Sequence, residues 1–233
     1  MSIASLLDRL DLKEAGAGNA QGGSRMLAFG GVAVSMSWTK TPALPALDDD
    51  AALAGASRAI PAGLTFALDL PQLQRSDGLQ RFQAAQRLAA LAAVVGAAFA
   101  ASRMLWTPAQ LWSPVAMLGD AVAALERQGL PPVLHLVAMR RLMTAEGPLS
   151  SMQTRGLNWF CGSELRIDHP EAMSDADVVK RLARLCIHAM VAGPLEPGAA
   201  VPGLDRGEML IAGPWASDAG GGPVLPLRLR QGR

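Results

Sequence analysis

The sequence has no tyrosine, and phenylalanine and tryptophan together supply only 4% of its 233 residues. A core built mainly on aromatic stacking is thereby excluded. Packing falls to the aliphatic residues and alanine that raise the hydrophobic share to 50%. Cysteine is also scarce. Cys161 and Cys186, 25 positions apart, make no Cys-x-x-Cys pair and no disulfide framework, which is ordinary for a reducing compartment. Neither sign of charge dominates: 21 basic against 20 acidic residues leave a formal +1. A general electrostatic grip on nucleic acid needs clustered Lys and Arg, and that balance does not provide it. Arg228, Arg230 and Arg233 make only a small basic tip.

Long hydrophobic runs are missing too. The longest apolar stretch, Leu88 to Ser102 between Arg87 and Arg103, falls short of the roughly 20 residues a membrane span needs. The opening MSIASLLDRLDLKEA carries acids from Asp8 onward and has no signal-peptide core, so a cytoplasmic protein is expected. The familiar catalytic signatures are absent as well: no Walker loop, no Gly-x-Gly-x-x-Gly after a strand, no Gly-x-Ser-x-Gly elbow and no His-Glu-x-x-His.

What is present is periodicity. Residues 1–25 read as a short amphipathic helix carrying Leu6, Leu7 and Leu10, followed by a flexible Gly- and Ala-rich linker; residues 26–233 read as one domain. Val32, Val34, Met36 and Trp38 alternate with small residues as a strand does, and so do Leu64 to Leu70. Helical stripes run over about 78–95, from a capping box at Thr107-Pro108-Ala109-Gln110 to Gly129, and from Ser174 to Gly193. Strands are expected at about 97–105, 132–140, 157–168, 208–212 and 224–230. The order ββαβαββαββ implies an α+β fold: a mixed, largely antiparallel sheet with about three helices packed mainly on one face.

Thr154-Arg155-Gly156-Leu157 followed by Phe160-Cys161-Gly162-Ser163-Glu164-Leu165-Arg166-Ile167 resembles the block that marks an uncharacterised bacterial family, domain of unknown function 4261. In that family a Thr-x-Gly turn leads into a strand bearing Glu and an aliphatic residue, then a helix, a Gly-rich segment and a closing strand. The resemblance spans roughly residues 26–230. It implies the α+β order and supplies no chemistry, because the family has no assigned activity.

Two constellations are candidates for function. If 131–141 and 157–167 pair as a hairpin, Cys161 falls almost opposite His135, and an imidazole beside a thiol is how a thiolate is generated. Otherwise Cys161 fills a small core site and His135 hydrogen-bonds within the sheet. Glu164, Arg166 and Asp168 form a charged stripe on one strand face, which is a solvated face or, with Trp159, a recognition surface. Asp168, His169, Cys186 and His188 do not make a metal site, since Cys186 and His188 lie about 200° apart around a helix. The expected function is therefore a non-enzymatic, intracellular protein-binding or accessory protein, immunity proteins being one such class. It needs no cofactor and no metal, and its partner is another protein rather than nucleic acid or membrane. The alternative is an enzyme with an unfamiliar site near His135 and Cys161.

Overall fold

Apolar residues that alternate with small or polar ones give strands toward both ends of the chain, and the alanine-rich stripes between them give helices. The computed structural model describes residues 14–15, 22–29, 32–39, 65–69, 78–144, 147–168, 173–218 and 221–231. Strands β1 (Glu14–Ala15), β2 (Gly22–Phe29), β3 (Val32–Thr39) and β4 (Thr65–Asp69) form a four-stranded antiparallel sheet in chain order. In β3 Val34 and Met36 are buried while Ser35 and Ser37 are more open, as the alternation predicts. Met26, where the sequence places the start of the body, lies inside β2. The helix expected in residues 1–13 lies outside the described residues.

Helix α1 (Gly78–Ala98) buries Phe82, Ala85, Leu88, Leu91 and Val95, but Leu79 at its start is exposed rather than part of the stripe. The capping box at Thr107 does not open a long helix. Thr107–Ala109 make one 3-10 turn, and Gln110 then takes a left-handed conformation (φ 48°, ψ 43°) that a helix interior does not accept. The chain reverses there, so that β5 (Arg103–Trp106) pairs with β6 (Leu111–Pro114). Helix α2 (Val115–Gln128) starts only after Pro114, which is extended at its N-cap, and Gly129 ends it in the left-handed region.

The second half forms α3 (Val133–Leu136), β7 (Ala138–Thr144), β8 (Gly147–Arg155), α4 (Asn158–Cys161), β9 (Glu164–Asp168), α5 (Asp175–Ala192), β10 (Ala200–Pro202), β11 (Glu208–Ala212), β12 (Ala216–Ser217) and β13 (Pro223–Gln231). These strands make a seven-stranded sheet in the order β10-β11-β13-β9-β8-β7, with β12 on β13. Every pairing is antiparallel except β13 with β9. The α+β class with a mixed, largely antiparallel sheet is thus observed. No helix among the described residues is long and apolar enough to cross a membrane.

The sheet has two chemically distinct faces. One carries Met152, Leu165, Ile167, Leu225, Leu227, Leu210 and Ala212, all buried against α5 through Val178, Leu182, Leu185, Cys186 and Met190. Phe82 and Ala85 of α1 and Val133 and Leu136 of α3 complete that core. Helix α5 starts as its sequence dictates, with the Ser174 hydroxyl accepting from the Asp177 N–H at 3.2 Å. A buried ion pair clamps it to the sheet. Arg181 Nε donates to Glu208 Oε1 at 2.8 Å, while its Nη2 reaches Glu208 Oε2 and, at 2.6 Å, Asp205 Oδ2. Gly203 is obligatory beside this clamp, because a Cβ there would lie 1.9 Å from Glu208 Oε1.

Candidate functional site

The block Thr154 to Ile167 does not form the single strand its alternation suggests. Strand β8 ends at Arg155, one helical turn spans Asn158–Cys161, and β9 begins at Glu164. The cause is Glu164, whose side chain is buried and turned back into the corner. Its carboxyl accepts from Thr154 Oγ1 at 2.6 Å and from the backbone N–H groups of Gly156 at 2.7 Å, Leu157 at 3.2 Å and Asn158 at 3.3 Å. Those amides are the unsatisfied donors that open the α4 turn, so Glu164 caps it from the following strand. Gly156 (φ 92°) packs so closely on the 3-10 turn that a Cβ would stand 2.6 Å from Ala109 Cβ. Glu164 therefore organises the fold from within and is not part of an exposed binding stripe, which corrects the sequence expectation for this residue.

Trp159 and Cys161 ride on the same turn. Trp159 is partly buried and packs edge-to-face on Trp106 (5.5 Å between centroids) and Phe160 (4.8 Å). Arg81 of α1 sits 5.9 Å over its ring and donates from Nη1 to its carbonyl at 2.8 Å. This tryptophan anchors α1 to α4, so it too is taken up inside the fold. Cys161 lines a cleft of about 410 Å³ between the start of α1, the end of α4 and the end of α5, flanked by the exposed side chains of Leu79 and Val191.

The structure does not form the hairpin that would set Cys161 opposite His135. The hairpin is β7 with β8, so neither residue lies on paired strands: His135 is in α3 and Cys161 ends α4. The Cys161 thiol donates to the carbonyls of Leu157 (3.6 Å) and Ser163 (3.5 Å), while His135 Nδ1 is buried without a hydrogen-bond partner among the described residues. Burial raises the Cys161 pKa and lowers that of His135, so each neutral form is favoured. An imidazolium–thiolate pair requires the opposite on both sides. Of the metal-type residues considered, Cys186 is buried in the core and His188 is exposed on α5, while His169 lies outside the described residues.

The helix-free face of the seven-stranded sheet gathers the remaining candidates. Arg166 and Asp168 are both part-exposed on β9, with Arg166 Nε 3.3 Å from Asp168 Oδ1. Strand register adds residues that the sequence keeps far apart. Arg140 pairs across from Gln153, and Gln153 across from Arg166. On the other side Arg228 pairs across from Asp168, and Arg230 follows two residues on along β13. Met209 and Ile211 of β11 lie beside Arg230 and Arg228. The sequence alone reads Arg228 and Arg230 as part of a small basic tip and gives Arg140 no special place, because β8 is unforeseen there and register is not encoded locally. No family model matches this chain, and no curated protein or solved structure is significantly similar to it.

Proposed function

We propose that the chain is a non-catalytic protein-binding or accessory protein that meets its partner on the helix-free face of the seven-stranded sheet. The observation that supports this reading is the composition of that face, where Arg166, Arg228 and Arg230 stand among the part-buried apolar residues Met209, Ile211 and Pro226. Arginine and methionine between modest apolar patches are characteristic of protein interfaces. A resemblance to the uncharacterised bacterial domain family 4261 belongs to the same proposal.

Site-specific photo-crosslinking tests the binding reading. A photoreactive residue placed at Met209 should give discrete protein adducts in native lysate, and one at Glu126 on the exposed side of α2 should not. Equal labelling from both positions, or none from either, would overturn the proposal.

A further inference from the structure

Register narrows the chemistry of the partner. Across strands about 4.8 Å apart and with about 6.7 Å between alternate residues on one strand, Arg140, Arg166, Arg228 and Arg230 form a diagonal row roughly 20 Å from end to end. That length matches about six residues of extended chain. Asp168 is the one carboxyl among the described residues of this face that is not turned inward, Glu164 being buried in the β8–α4–β9 corner. Positive charge is thus concentrated here in a chain whose formal total is only +1.

Asp168 occupies a particular place in the row. It neighbours Arg166 along its own strand and Arg228 in register on the next. Its contact with Arg166 is loose: the atoms are 3.3 Å apart, yet Arg166 Nε makes no hydrogen bond among the described residues. A part-exposed pair of this kind contributes about 0.2–1 kcal/mol, so an incoming carboxylate that meets the outer Nη groups of the guanidinium with two hydrogen bonds displaces it at little cost.

We infer that this face binds an acidic, extended segment of a protein partner, whose carboxylates take over Arg166 from Asp168 and engage Arg228 beside it. The inference rests on the protein-binding reading and adds the partner's chemistry. A protein is favoured over a nucleic acid on two grounds. The described positions of the face hold no aromatic ring on which a base would stack, and Met209, Ile211 and Pro226 give side chains, not phosphates, something to pack on.

The test uses the full-length protein and a short fluorescein-labelled Glu-rich peptide, with its Gln counterpart and a single-stranded oligonucleotide of similar charge as controls. Anisotropy should show binding of the Glu peptide that weakens with salt, and little binding of either control. Arg166→Gln or Arg228→Gln should weaken it by roughly fivefold to tenfold. Asp168→Asn should strengthen it by about two- to fivefold, a gain that a merely structural Asp168 would not give. Unchanged thermal melts keep folding out of the comparison. Binding of the Gln peptide or the oligonucleotide as tightly as the Glu peptide, or a loss of affinity in Asp168→Asn, would overturn the inference. Crosslinks at Met209 without any Glu-peptide binding overturn the acidic partner alone; absence of both overturns the protein-binding reading as well.

Discussion

Glu164 and His135 are both buried polar residues, and they differ in what surrounds them. The Glu164 carboxyl is met by a hydroxyl and three amides, so removing it strands several donors at once. Each stranded buried group costs about 1–3 kcal/mol. Glu164→Gln keeps one acceptor oxygen and turns an amide toward donors; it should cost roughly 2 kcal/mol in urea unfolding, and Glu164→Ala more. His135 is the reverse case, since its Nδ1 has no hydrogen-bond partner among the described residues. Burial lowers its pKa below the ordinary 6.5, so the unfolded chain binds the extra proton first. Stability should therefore fall as pH drops below about 6.5. His135→Leu should remove that slope at no cost in Tm at pH 7.5. A melt in which the variant keeps the wild-type pH slope would contradict this assignment.

At the scale of elements, the tie between α5 and β11 through Arg181 and Glu208 decides where the 203–207 turn lies. Besides Arg181, the Leu204 N–H donates to Glu208 Oε1 at 3.1 Å, and Arg184 Nη1 donates to the Gly203 carbonyl at 2.7 Å. Deleting one partner leaves the other charge buried, so Arg181→Met should cost about 3–5 kcal/mol. Arg181→Met with Glu208→Leu should cost clearly less than the sum of the single changes, in a double-mutant cycle read by denaturant. The hydrogen bond from Arg181 holds the Glu208 pKa below its ordinary 4.5. The stability that Glu208 contributes is therefore complete above that pH and is lost as pH falls below it, a loss that Glu208→Gln should remove. Helix α5 was legible in sequence because its cap, stripe and stop agree. The α2 start was not, because pairing of β5 with β6 overrode a local capping signal.

At the scale of the whole molecule, the last strand is the middle of the sheet. β13 lies between β11 and β9 and also holds β12, and its Leu225 and Leu227 are fully buried. Leucines in such positions are worth about 2–5 kcal/mol each on truncation to alanine, and domains of this kind have only about 5–15 kcal/mol in hand. Truncation after Gly222 should abolish the cooperative thermal transition altogether, rather than shorten the protein by an edge strand. A truncated chain that still melts cooperatively would contradict the central placement of β13.

Periodicity and end signals by themselves determined the α+β class, β3, β4, α1, α5, β11 and β13, since each is specified by residues within one turn or one strand of each other. They did not determine β8, the α4 turn or the fate of the Glu164–Arg166–Asp168 stripe. Alternation around residue 160 is equally consistent with one long strand, and only the convergence of Thr154, Gly156, Leu157 and Asn158 on Glu164 breaks it in two. Which arginines share a face was likewise decided by the tertiary structure alone. Arg140, Arg166 and Arg228 come from three strands, and a shift of any one by a single residue would turn its arginine into the core.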